Sequence, residues 1–327
     1  MSIILGFLQR AIGQGIALLY GANGEILTEK SGNLNLGVPG MMYLGGIGGL
    51  MGAFLYEHAV ADPIPFLGML ISLLFAIVFS GLGALIYGVL TISLRANQNV
   101  TGLALTTFGV GFGNFFGGSL STLAGGVGQI SVAKTSSVFK ACIPGLSNIP
   151  VIGPLLFSHG YLTYLCIILA VITNYVIYHT RVGLNLRAVG ENPAAADSAG
   201  VNIEKYKYLS TLIGGIMAGL GGLYYILDYS NGTWSNNSFG DRGWLAIALV
   251  IFARWRPLNA IWGSILFGGL CILYIYIPGL ERSTQELFRC LPYIVTVVVL
   301  IITSLRKRRE DQPPAALGLA YFRENRE

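Results

Sequence analysis

In a chain of 327 residues that is 54% hydrophobic and only 11% Asp, Glu, Lys or Arg, the residues able to engage a solute are few. The candidates are Asn33, Asn35, Asn97, Gln98, Asn114, Asn236, Asn237 and Asp241. Amides donate and accept hydrogen bonds, which suits an uncharged polar solute. The same residue types also cap helices and shape turns, so both readings stay open. Catalytic patterns are missing. No Gly-x4-Gly-Lys-Ser/Thr loop, His-Glu-x-x-His motif or Gly-x-Ser-x-Gly elbow occurs. The glycines at 111–118 lie within an apolar run, not after a soluble strand, so they do not suit a dinucleotide. His58, His159 and His179 lack metal-ligand spacing, and Cys142, Cys166, Cys271 and Cys290 form no Cys-x-x-Cys pair. Neither an enzyme, a metal site nor a cofactor is expected. Asp228 sits at the end of an apolar run and Arg10 inside one, and few other charges do. A proton-driven carrier keeps ionisable groups in the membrane, so the energy source is expected outside this chain.

The elements that position these residues are membrane helices. Mean hydropathy is +0.66 and glycine occurs 45 times. Residues 63–94, 96–133, 208–227 and 257–280 carry no charge, and about 20 apolar residues suffice to cross a bilayer. The expected fold is all-α, a polytopic transmembrane bundle of about eight or nine elements; a β-barrel would alternate in short segments. No cleavable leader is expected, because residues 1–9 hold no basic residue. Residues 1–305 form the membrane domain, and 306–327 a charged tail. Two apolar segments, within 24–49 and 230–253, are short and follow Gly/Asn-rich stretches. Broken or re-entrant half-helices are expected there, a pattern that points to a transport path. Gly45 and Gly49, Gly48 and Gly52, and Gly214, Ala218 and Gly222 repeat at four-residue spacing, which predicts close helix contacts. Trp234, Trp244 and Trp255 are expected as interfacial anchors. The net charge of +5 gathers at 181–207 and at Arg306, Lys307, Arg308 and Arg309. Basic segments beside apolar spans mark the cytoplasmic side; nucleic acid is not an expected partner.

Residues 181–207 hold the most specific pattern. Asn192 is a good N-cap, Pro193 suits the first helical position, Ala194, Ala195 and Ala196 propagate, and Gly200 fits the position after the helix. A helix over 193–199 is predicted, with Asn202 capping the next. So short a helix needs something to dock against; a rigid connector is the other reading.

Residues 180–201 read Thr-Arg-Val-Gly-Leu-Asn-Leu-Arg-Ala-Val-Gly-Glu-Asn-Pro-Ala-Ala-Ala-Asp-Ser-Ala-Gly-Val. They resemble the coupling loop of bacterial ABC-importer permeases of the ribose and branched-chain amino acid type, nearest the nucleoside branch served by basic-membrane-protein lipoproteins. Residues 24–42, Gly-Glu-Ile-Leu-Thr-Glu-Lys-Ser-Gly-Asn-Leu-Asn-Leu-Gly-Val-Pro-Gly-Met-Met, and 242–257 resemble two further motifs of that family. Pro39 stands where many relatives have Glu, and Ala253 where Gly is usual. The resemblance implies the transport subunit of an ATP-driven importer in a bacterial inner membrane, with a cytoplasmic C-terminus. It implies a cassette ATPase that binds ATP and Mg, a second similar permease and an external substrate-binding lipoprotein. It implies coupling through Gly190, Glu191, Asn192, Pro193, Ala196, Asp197 and Gly200, so that Ala196→Trp uncouples hydrolysis from uptake. Nucleosides are the expected solute, with riboflavin or a sugar as alternatives. A passive channel, the rival class, has no use for a docking loop.

Overall fold

The structure, a computed structural model, describes residues 2–123, 125, 130–140, 147, 150, 152–306 and 312–322. Cys142 and Lys307, Arg308 and Arg309 of the basic run lie outside the described residues. The helices are α1 (Ser2–Glu29), α2 (Val38–Ala59), α3 (Pro65–Gly88), α4 (Gln98–Leu123), α5 (Ala133–Phe139), α6 (Tyr161–His179), α7 (Arg181–Glu191), α8 (Pro193–Ser198), α9 (Ile203–Leu223), α10 (Arg242–Phe252), α11 (Pro257–Ile272), α12 (Arg282–Arg289) and α13 (Leu291–Arg306). Wider turns extend α3 over Val89–Ser93 and α9 over Tyr224–Tyr229. Two short strands, β1 (Ile130–Ser131) and β2 (Thr233–Trp234), pair antiparallel.

Among the described residues, seven helices are long and apolar enough to cross a membrane. Helix α4 has 26 residues, a length of about 39 Å. Helix α10, with 11 residues, reaches about 16 Å, half a hydrocarbon core. The protein is therefore an all-α, multi-pass membrane bundle. Large apolar side chains such as Leu74, Phe115, Ile168, Trp262 and Val297 lie exposed on its flanks, as a protein solvated by lipid requires.

Glycine sets how closely the inner helices approach. A Cβ at Gly45 would fall onto the Gly219 backbone, one at Gly24 onto the Gly214 carbonyl, and one at Gly222 onto the Met42 carbonyl. Helices α1 and α2 thus each meet α9 backbone to backbone. Lipid tails are as apolar as Leu, so such contact, not hydrophobic exclusion, drives association. Helices α1 and α9 run antiparallel: Thr28 Oγ1 donates to Ser210 O (3.3 Å), and Tyr224 OH donates to Gly13 O (3.0 Å). We call the end carrying α7 and α8 basal and the other apical.

Several expectations shift. Helix α1 continues through Glu29, so the first break narrows to residues 30–37, and α2 is a full 22-residue helix. Residues 181–191 are helical, not a loop. Trp234 and Trp255 are buried rather than anchoring at an interface; each indole N–H has an internal partner, Asn236 Oδ1 (3.4 Å) and Glu29 Oε2. Arg10 is exposed on α1.

Gly222→Val should abolish monodisperse, folded protein on size-exclusion chromatography in detergent, because the Met42 carbonyl cannot retreat. Gly118→Ala, with nothing within 4 Å of the added methyl, should leave yield and melting temperature unchanged.

Candidate functional site

The segment from Thr180 to Lys205 is built from caps. Thr180 Oγ1 accepts from Gly183 N (3.1 Å), which starts α7 directly after α6. Asn192 Oδ1 accepts from Ala195 N (3.0 Å), with Pro193 at the first position of α8. Gly200, at φ +82°, closes α8: its N–H bonds Asp197 O (2.9 Å), and Val201 N bonds Ala196 O (3.0 Å). This is the glycine-terminated helix end in which left-handed backbone suits Gly. Asn202 Oδ1 accepts from Lys205 N (2.9 Å) and opens α9. The sequence prediction of helix, stop and restart matches these bonds.

One side chain points the other way from expectation. Ala196 faces inward, packed with Val189 and Ile203 in a small apolar cluster. The exposed face of α8 carries Ala194, Ala195 and Ser198. A Trp at 196 would therefore unseat α8 itself, not obstruct a partner.

The segment sits against the first break. Gly190 presses on the Lys30 carbonyl so closely that no Cβ fits. The C-terminal residues 312–322 close over this junction. Ala316 N donates to Gly190 O (3.0 Å), and Gly318 N to Gly32 O (3.2 Å). Ala315 N donates to Glu191 Oε2 (3.3 Å), Tyr321 OH to Asp197 Oδ2 (3.0 Å), and the Arg95 guanidinium lies 4.6 Å from the Phe322 ring centre. Reading the tail as charged missed this contact. Its signal is the Ala-Ala-Leu-Gly-Leu-Ala-Tyr-Phe run at 315–322, apolar within a charged region.

The polar candidates fall into two groups at opposite ends of α4. Asn33, Asn35, Asn97 and Gln98 gather at the basal break. Buried Asn33 donates through Nδ2 to Thr211 Oγ1 (3.0 Å) and Thr91 Oγ1 (3.4 Å), and its Oδ1 has no partner. Asn35 Oδ1 accepts from Gly37 N (2.9 Å), a turn-forming bond, and Asn97 Oδ1 caps α4 through Val100 N (3.1 Å). Gln98 Oε1 accepts from Leu34 N (2.7 Å) and ties α4 to the break. Asn114, Asn236, Asn237 and Asp241 stand at the apical break. Asn114 holds Asn237 through two bonds, Nδ2 to Asn237 Oδ1 (2.8 Å) and Oδ1 from Asn237 N (3.0 Å). Asn237 adopts φ +57°, and Asp241 precedes α10 without a side-chain cap bond. Gln98 and Asn114 are 16 residues apart on one helix, about 24 Å.

The two breaks mirror each other. Residues 30–37 rise from the basal end into α2; residues 230–241 descend from the apical end into α10. The two helix starts meet where Gly243 packs on Pro39, with no room for a Cβ. Helix N-termini facing one another within a bundle is the arrangement of transporters whose path lies between inverted halves. Glu25 and Glu29, both buried on α1, reach the first break and the end of α10: Glu25 Oε1 accepts from Asn35 N (2.9 Å), and Glu29 Oε2 from Trp255 Nε1. Reading 24–40 as a polar stretch hid them as membrane-embedded acids.

At the basal surface a cavity of about 550 Å³ is bordered by Lys30, Tyr178, Arg187, Glu191 and Arg256. Burial pushes the Lys30 ammonium down to about 8; Glu191 and Glu29 pull it up, while Arg187 and Arg256 push it further down. Its pKa thus lies below the unfolded value near 10.5. The folded chain is penalised for carrying the proton below about pH 8, and the penalty fades as pH rises towards 10.5. Lys30→Met should raise the detergent melting temperature at pH 7, by up to about 3 kcal/mol of stability. The gain should shrink when melting is repeated at an alkaline pH of about 9.5.

Comparison with known proteins places this architecture. Residues 7–300 match the family described as branched-chain amino acid transport system / permease component. The nucleoside ABC transporter permease protein NupC of Lactococcus lactis is 32% identical over 289 residues, 87% of this chain and 88% of that protein. The guanosine ABC transporter permease protein NupQ of Bacillus subtilis is 32% identical over 317 residues, 94% of each chain. A glucose ABC transporter permease protein of Haloferax volcanii is 25% identical over 329 residues, 93% of this chain and 81% of its own. No solved structure matches. With a multi-pass bundle, mirrored breaks and a family match across nearly its whole length, the chain belongs to the permease components of branched-chain amino acid type ABC transport systems.

Proposed function

We propose that this chain is the permease subunit of an ATP-driven importer of nucleosides. The observation that carries the reading is the capped, solvent-facing helix α8, seated through Gly190 directly on the break that leads to Asn33. A motor docking on α8 from outside has a short rigid route to the path. The nucleoside assignment rests on NupC and NupQ, whose alignments cover 87% and 94% of this chain. The buried amides support it, since Asn33 keeps an unpartnered oxygen for a hydroxyl or ring N–H. The buried acids Glu25 and Glu29 already accept hydrogen bonds from other parts of the chain, which favours an external energy source over proton coupling.

On this reading the basal end is cytoplasmic, as its Arg181, Arg187, Lys205 and Lys207 require, and the C-terminal tail lies on the same side. The partners are a cassette ATPase carrying ATP and Mg, a second permease of the same family and an external binding lipoprotein, in a bacterial inner membrane. Cassette closure pushes α8; α7 and the tail carry the movement to residues 30–37; the helix starts of α2 and α10 separate on one side and close on the other.

Uptake of labelled guanosine by cells carrying the intact system should be competed by other nucleosides and not by riboflavin or glucose; competition by glucose alone overturns the substrate assignment. Ala195→Trp, on the exposed face of α8, should lower uptake on the order of tenfold, as loss of one interface anchor does. The protein should still fold and melt as the parent does. Undiminished uptake by that variant would remove α8 from the coupling route.

A further inference from the structure

The basal break and the far end of half-helix α10 share one anchor. Glu25 and Glu29 sit one helical turn apart on α1, so their side chains leave the same face. Both are buried. Glu25 Oε1 accepts the Asn35 backbone N–H at 2.9 Å, at the middle of the first break. Glu29 Oε2 accepts the Trp255 indole N–H, in the turn between α10 and α11. That turn holds two consecutive non-glycine residues in left-handed backbone, Arg254 at φ +55° and Trp255 at φ +54°. Such backbone persists only where its surroundings over-determine it, and the Glu29 bond is one of those determinants. Helix α1 itself is continuous and is locked to α9 through the Gly24–Gly214 contact. We propose that Glu25 and Glu29 are positioning residues: a two-armed clamp on α1 that fixes the basal break of the first half and the exit of half-helix α10 to one rigid rod.

The clamp specifies how alternating access proceeds, and in that part it rests on the importer reading. A movement delivered through Gly190 to Lys30 and Gly32 reaches α1 at its last turn, where both arms begin. The ends of α2 and α10 then move with α1 as a unit. Neither carboxylate need touch the solute; each acts by accepting one N–H, so an amide oxygen can replace it.

The test uses purified full-length protein in detergent and needs no transport. Leu34→Cys reports on the first break and Ala253→Cys on the turn that ends α10. Maleimide labelling is followed by mass spectrometry of the peptide carrying each cysteine. Glu25→Ala should raise labelling at 34, and Glu29→Ala at 253, by about tenfold or more, because each segment loses the buried acceptor of its N–H. Glu25→Gln and Glu29→Gln should return the rates to near the parent value, since the glutamine oxygen accepts the same N–H. Parental rates in both alanine variants overturn the clamp. If an alanine variant does not fold, two measurements stand in. Trp255→Phe keeps the ring bulk and removes only the donor, and should raise labelling at 253. In the parent protein the Asn35 amide should exchange slowly with deuterium, and rapid exchange there overturns the first arm. In the assembled importer, both alanine variants should lower the maximal uptake rate about tenfold with KM nearly unchanged, as expected when conversion rather than binding suffers. Loosened segments with normal uptake overturn the positioning role. A parent that shows the labelling pattern but takes up no nucleoside refutes the importer and supports the clamp as an anchor.

Discussion

Backbone that leaves helical geometry inside a bilayer must find a protein partner for each N–H and C=O, because lipid supplies none. Residues 32–37 meet that demand at many of their groups. Gly32 N bonds Glu29 O, Leu34 N bonds Gln98 Oε1, Asn35 N bonds Glu25 Oε1 and Gly37 N bonds Asn35 Oδ1. On the acceptor side, Tyr87 OH donates to Leu34 O, Thr106 Oγ1 to Leu36 O and Gly318 N to Gly32 O. Helices α1, α3 and α4 and the C-terminal tail all contribute. A broken helix is affordable only because four other parts of the chain are arranged around it, and that requirement explains why so many polar side chains sit in an otherwise apolar interior.

The glycine surfaces serve the same end. Backbone contact of α1 and of α2 with α9 leaves no room for side chains between them. Polar groups on those helices are thereby brought within hydrogen-bonding reach of the break. Asn33 bonds Thr91 in the extension of α3 and Thr211 on α9. Among the buried oxygens without a hydrogen-bond partner are Asn23 Oδ1 and Glu25 Oε2 on α1 and Asn33 Oδ1 in the break. They mark where the packing stops short of completion.

Much of this was legible in the sequence because it is local chemistry. The Asn192–Pro193 start, the Gly200 stop and the Asn202 restart depend on residues within a few positions of each other, and all three form. The glycine spacings translated directly into contact faces. The half-helix at 242–252 followed from the length of its apolar run. Long-range satisfaction was not legible. Glu25 and Glu29 read as loop residues because nothing nearby in sequence reveals that Asn35 N–H and the Trp255 indole await them. Helix α7 was read as a loop for its charges, although Gly183, Leu186, Val189 and Gly190 already formed a buried stripe at helical spacing. Asn35 and Asn97 resolve as turn and cap residues, the reading that their position beside helix ends allowed. Ala196 differs for a reason of phase: on a helix of two turns, a single residue decides between partner and core.

The tail adds a dimension of time. Residues 312–322 follow every membrane helix in the chain, yet they close the junction between Gly32 and Gly190 and the flank of Asp197. During synthesis, the surface around α8 stays unfinished until the last helix has left the ribosome and the tail has folded back across some 120 residues of sequence separation, as the Tyr321 to Asp197 bond requires. On the importer reading, a partner that docks on this surface would bind only chains in which the tail has folded back, so assembly itself would select chains whose membrane helices are in place.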